Sequence, residues 1–224
     1  STTKYLDGHA AAVGGAIVDS GKFDWEAHAD KYPGLTTPDE SYHGITYTKK
    51  FGLEGAYITK ATAQLMRDFG STPAPMNAWL LGMGMETLPL RMARHCENGL
   101  AMARHLQSHP KVAWVRYPGL PGDKYHDLAK KYLPRGASGV VSFGVKGGRA
   151  AAEKFMAGLE LCSIATHVAD AKTCVLHPAS ATHRQMNDAE LAAAGVSPDL
   201  IRLSVGLEDP GDLISDVDRA LAGV

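Results

Sequence analysis

Apolar residues in this 224-residue chain change rhythm several times, and each change predicts an element. Residues 11–18 form an unbroken small and apolar run, the pattern of a strand buried on both faces. Residues 20–50 lose that pattern and gather Pro33, Gly34, Pro38 and Gly44, which is loop chemistry. Ile58, Ala61, Leu65 and Phe69 recur at three or four residues and predict a helix over 54–69, stopped by Gly70. A second helical pattern starts at Thr72-Pro73 and continues to about Leu106, with Pro89 set to kink or break it. Met66, Met76, Met83, Met85 and Met92 read as core within these patterns.

Further along, the elements are shorter. Strands are expected at 111–117, 139–145, 163–168 and 173–177, and helices at 125–132, 148–159 and 188–194. Asp209-Pro210 is a cap and first-turn pair for a last helix over 211–221. Strands joined by helices suggest a small sheet covered by helices on one side.

Composition narrows the class. Hydrophobic residues make up 45% and charged residues 21% of a chain with net charge −1. That is ordinary globular balance, with no electrostatic case for nucleic acid or an anionic membrane. No apolar run approaches a membrane span and no signal-peptide pattern opens the chain. Cys96, Cys162 and Cys174 lack metal spacing and read as reduced packing cysteines of a cytoplasmic protein. The ten histidines form no H-E-x-x-H motif, so no metal site is expected. His177 and His183 are read as a polar corner around the Pro-Ala-Ser turn between them.

The candidate chemistry lies at the two ends. Residues 1–9 read Ser-Thr-Thr-Lys-Tyr-Leu-Asp-Gly-His. Lys4 is either a solvated terminal lysine or an amine that condenses with an aldehyde cofactor. In an extended segment Ser1 and Thr3 would share a side and offer two hydroxyls to a phosphate. Arg202, inside the apolar run Leu200 to Leu207, is either a satisfied structural charge or a receptor for a carboxylate.

Ser1-x-Thr3-Lys4, the run Leu90 to Asn98, Tyr117-Pro118-Gly119-Leu120, His177 to His183 and Arg202-Leu-Ser-Val-Gly-Leu-Glu-Asp209 occur in that order. Together they resemble the cystathionine γ-synthase-like, or Cys/Met metabolism, family of pyridoxal-phosphate (PLP) enzymes. The resemblance covers essentially the whole chain. It implies an α/β fold of type I, aspartate-aminotransferase-like, with residues 1–87 ending the large PLP domain and 88–224 forming the C-terminal domain. It makes Lys4 the covalent anchor of PLP and its proton carrier, with Ser1 and Thr3 beside the cofactor. It makes Arg202 the holder of the substrate α-carboxylate, and places His167 and Thr182 near that carboxylate. The family carries a small polar residue where this chain has His167, so a plain strand histidine is the competing reading there.

The stretch 23–52 looks like the insertion typical of O-acetylhomoserine sulfhydrylases within the family. The implied reaction is γ-replacement: O-acetyl-L-homoserine and sulfide, or methanethiol, give homocysteine, or methionine, and acetate. The alternatives are a cystathionine γ-synthase, a methionine or cystathionine γ-lyase, or an inactive fragment. Family chains are about twice as long, so a missing N-terminal half is expected to complete the cofactor pocket. A homo-oligomer, dimer or tetramer, is expected with it.

Overall fold

The computed structural model describes residues 1–224, which fall into two compact units. One comprises Val13–Ala78 with Ser1; the other comprises Thr2–Ala12 with Trp79–Val224. Residue 87, where the domain boundary is expected, lies at a helix break.

In the first unit, short helix α1 (Pro33–Thr36) precedes α2 (Tyr47–Thr59). Gly52 interrupts α2 with φ 70° and ψ 174°, so the straight helix starts just beyond it. The helix continues through a π-type segment, Lys60–Met66, into α3 (Arg67–Phe69), and Gly70 ends it in the left-handed conformation. Leu35, Tyr47 and Ala56 form the small core, packed by Trp25, Tyr42, Ile45 and Phe51. Asp39 accepts from Lys60 at 2.6 Å and from Ser41 at 2.6 Å, which holds its carboxyl at about 2. Residues 11–18 are not a strand. Val13 is 80% and Val18 93% exposed, because a strand needs a ladder partner and the molecule's sheet is built from other segments.

The rest of the chain builds α4 (Pro75–Glu86), α5 (Leu88–Ser108), β1 (Val112–Arg116), α6 (His126–Tyr132), β2 (Val140–Val145), α7 (Gly148–Ala157), β3 (Ser163–Ile164), β4 (Cys174–Leu176), α8 (Asp188–Ala193), β5 (Leu200–Ser204) and α9 (Pro210–Ala222). Thr87 breaks the long helical pattern, and Pro89 sits in the first turn of α5, where its missing N–H costs nothing. The methionines of α4 are not core: Met76, Met83 and Met85 are exposed, as is Met66 earlier. The sheet order is β1-β2-β5-β4-β3, antiparallel except for β3 beside β4.

Strand alternation divides the sheet's two faces. Val141, Phe143 and Val145 of β2 and Ile201 and Leu203 of β5 enter the main core with Met102, Leu106, Phe155, Val217 and Leu221 from α5, α7 and α9. Ser142, Arg202 and Ser204 alternate with them and so face the other way, Ser142 paired with Arg202 across the ladder. None of the three cysteines is paired, and Cys162 and Cys174 are buried. No helix is long and apolar enough to cross a membrane.

Candidate active site

Lys4 lies in a run of tight turns, not in an extended segment. Asp7 N donates to Thr2 O at 2.9 Å and Gly8 N to Lys4 O at 2.7 Å. The expectation that strand alternation puts Ser1 and Thr3 on one side therefore does not hold; Ser1 is exposed, Thr2 is buried and Thr3 is half-buried. Gly8 takes φ 74°, and an added Cβ would collide with the Arg91 guanidinium, so both the turn and the close approach require glycine. The Asp7 carboxylate, 1% exposed, accepts from Ala11 N at 2.9 Å and closes the next turn.

The second component is the loop after β3. Arg202 Nη2 donates to Thr166 O at 2.8 Å and His167 O at 3.2 Å. Ser204 Oγ, two residues on and on the same face of β5, accepts from Ala169 N at 2.7 Å. Ala169 is held at φ 65°, a conformation costly for a residue with a Cβ. Ala171 N donates to Gly8 O at 2.8 Å, tying this loop to the lysine turn.

These bonds bring Lys4 Nζ within 3.5 Å of His167 Nδ1. With the lysine nitrogen donating, Nδ1 accepts and Nε2 is the ring nitrogen left to carry an N–H. His167 Nε2 and Arg202 Nε are both buried without a partner. Orphaned buried donors are expensive, on the order of 1–3 kcal/mol each, and are the mark of a site shaped for an acceptor. Burial pulls the Arg202 guanidinium below its ordinary value, yet an arginine remains cationic at neutral pH. A primary amine, an imidazole N–H and a guanidinium, with no carboxylate bonded to any of them, can receive an anionic amino acid beside an aldehyde-bearing cofactor. In that sense Lys4 and its neighbours fit PLP.

Thr182 is placed apart from this network. It is exposed, and its hydroxyl bonds the ring of His183 at 2.9 Å. His177 does hold the Pro-Ala-Ser turn, through Ser180 Oγ at 2.8 Å and Pro198 O at 2.8 Å. Ser204 and Gly8 were not among the expected site residues. Ser204 had a legible signal, its spacing of two from Arg202 along a strand.

Comparison with known proteins matches residues 1–222 to the Cys/Met metabolism PLP-dependent enzymes. The chain is 46% identical to O-acetyl-L-homoserine sulfhydrylase of Leptospira meyeri, with 100% of this chain and 52% of that protein covered. It is 48% identical to O-acetyl-L-homoserine sulfhydrylase 1 of Thermus thermophilus, with 99% and 52% covered. It is 47% identical to homocysteine synthase of Schizosaccharomyces pombe, with 99% and 51% covered. A crystal structure of a putative O-acetylhomoserine (thiol)-lyase from Campylobacter jejuni, described with a pyridoxyl-lysine monophosphate residue, superposes with TM-score 0.85 at 37% identity. That superposition covers 99% of this chain and 52% of the other. The chain thus spans about half the length of the curated relatives it matches.

Proposed function

This chain belongs to the Cys/Met metabolism PLP-dependent enzyme family, and from that premise we propose that it supplies the lysine and the carboxylate-binding arginine of an O-acetylhomoserine sulfhydrylase. The fold is the α/β, aspartate-aminotransferase-like type I of that family, and its cofactor is pyridoxal 5'-phosphate. The reaction we assign is γ-replacement in methionine and cysteine biosynthesis: O-acetyl-L-homoserine and sulfide, or a thiol such as methanethiol, give homocysteine, or methionine, and acetate. The observation that carries this reading is Lys4 Nζ beside His167, on a loop whose carbonyls are gripped by Arg202.

Lys4 would hold the cofactor through its side-chain amine, with Ser1 and Thr3 beside it in the sequence as the residues assigned to the phosphate. Bound PLP supplies an electron sink for a carbanion at the amino acid's Cα. The work of this chain's residues is placement and proton movement. Arg202 holds the α-carboxylate and so selects which bond at Cα is presented to the Lys4 amine. Lys4 takes the proton from Cα, and its flexible stem lets it carry protons along the substrate toward Cβ. The His167 Nε2–H is available as a further donor to the same carboxylate. Acetate leaves Cγ with the C–O electron pair, and the sulfur nucleophile forms the new bond there, giving up its proton.

We take residues 1–87 as the end of the PLP domain and 88–224 as the C-terminal domain, completed by an N-terminal half and by oligomerisation, in the cytoplasm. The names and lengths of the relatives and the three unpaired cysteines support this assignment. A product assay on the assembled enzyme tests it. Homocysteine and acetate formed in equal amounts are expected; release of an α-keto acid in their place would assign a γ-lyase.

A further inference from the structure

Helix α5 buries a polar stripe where its spacing calls for apolar residues. Arg91, His95 and Asn98 stand at i, i+4 and i+7 and are 5%, 0% and 2% exposed. The same face turns apolar further along, at Met102, Ala103 and Leu106. Apart from Arg91 Nε, which donates to Thr87 Oγ1 at 3.0 Å, the three polar side chains donate to backbone carbonyls. Arg91 donates through Nη1 to Tyr5 O at 2.9 Å and through Nη2 to Leu6 O at 3.4 Å and Gly84 O at 2.6 Å. His95 Nδ1 donates to Val205 O at 2.8 Å, and its ring packs edge-on against Tyr5 with centroids 5.0 Å apart. Asn98 Nδ2 donates to Gly206 O at 3.0 Å and Glu208 O at 2.9 Å.

The targets fall into two groups, apart from Gly84. Tyr5 and Leu6 immediately follow Lys4. Val205, Gly206 and Glu208 immediately follow the strand that carries Arg202. Tyr5 adds a cross-brace, its hydroxyl oxygen accepting from Gly139 N at 3.0 Å, while Val205 N donates to Gly139 O at 2.8 Å. Gly84 packs on the Asp7 carbonyl and Gly8 on the Arg91 guanidinium so closely that neither has room for a Cβ. One rigid helix therefore grips the backbone on both sides of the site. We propose that Arg91, His95 and Asn98 are positioning residues, a buried clamp that sets Lys4 against Arg202. The proposal rests on the reading of those two residues as the cofactor and carboxylate groups, and it assigns the pair's spacing to α5 rather than to the loop between them.

The clamp makes a side-specific prediction. Arg91→Lys keeps the charge but loses the planar fork, and acts on the lysine side. Asn98→Asp is isosteric, replaces the amide donor by an acceptor, and acts on the arginine side. Thermal melts first identify a temperature at which each variant is folded. Lys4 is then acetylated with acetic anhydride and scored by peptide mass against exposed Lys154, and Arg202 is modified with phenylglyoxal and scored against exposed Arg184. Arg91→Lys should change the Lys4 rate by about threefold or more and leave Arg202 as in the parent; Asn98→Asp should do the reverse. If Arg91→Lys does not fold, His95→Leu, which loses the donor to Val205 O, should change the Arg202 rate, while His95→Asn, which keeps a donor, should leave it as in the parent. Folded variants with parental rates at both residues would overturn the clamp, as would parallel changes at both residues in every variant. Failure of the unmutated, fully assembled enzyme to take PLP on Lys4 would instead reject the proposed function, while the acylation comparison, which needs no cofactor, would still decide the clamp.

Discussion

Two side chains carry the proposed chemistry, and their removal should separate cleanly. Lys4→Ala should abolish covalent attachment of PLP and the bound cofactor's visible absorption, checked by spectra after gel filtration. Arg202→Ala should leave attachment intact and weaken binding of an amino-acid substrate by roughly 10- to 100-fold, the value of a charge-assisted pair at about 1.5–3 kcal/mol. Unchanged affinity for the amino acid would remove Arg202 from its role. A different residue governs acid stability. Asp216 is 5% exposed, and burial opposes its ionisation, but the backbone N–H groups of Cys162 and Glu160, both at 2.9 Å, outweigh burial and hold the carboxyl below its ordinary range. A depressed carboxyl stabilises the fold above its unfolded-state value, near 3.9, and that contribution is lost as pH falls through the folded-state value. Asp216→Asn should therefore cost about 1.5–3 kcal/mol at pH 7 and progressively less below about pH 4, measured by urea melts across pH. A cost independent of pH would show that the charge is not what Asp216 contributes.

At the scale of elements, local signals tell where a segment starts and stops. Asn187 caps α8 with a reciprocal pair, its side chain accepting from Glu190 N while the Glu190 carboxylate accepts from Asn187 N. Asn187→Ala should cost about 1 kcal/mol in thermal unfolding, and a neutral result would mean that α8 frays in the parent. Gly70, Pro89 and Asp209-Pro210 mark their helix ends as the sequence implies, because those residues act through their own backbone, whereas α4 starts at Pro75, beyond Thr72-Pro73. Residues 11–18 misled for the opposite reason. An apolar run states what a segment would bury, not whether a neighbouring strand exists to bond it. The polar stripe of α5 was illegible for a related reason. Apart from Gly84 and Thr87, its partners are carbonyls some 85 to 110 residues away in sequence, so within the helix Arg91, His95 and Asn98 look like ordinary surface residues. Arg202 was legible as a carboxylate receptor or a structural charge; its hold on the carbonyls of Thr166 and His167 shows the structural part.

At the scale of the molecule, the sheet keeps its apolar positions on one face for the core and leaves Ser142, Arg202 and Ser204 on the other. Replacing Phe155, which is fully buried and meets Phe143 edge-on at 5.6 Å, by Ala should cost about 3–5 kcal/mol in chemical denaturation. A cost under about 1 kcal/mol would mean that the core under β2 collapses to fill the gap. The central claim is that Lys4 is the residue that holds PLP. Borohydride reduction of the enzyme assembled with its N-terminal half, in the presence of PLP and followed by intact mass and peptide mapping, tests it most directly. A single pyridoxyl adduct on Lys4 is the predicted result; an adduct spread over surface lysines, or none, would contradict it.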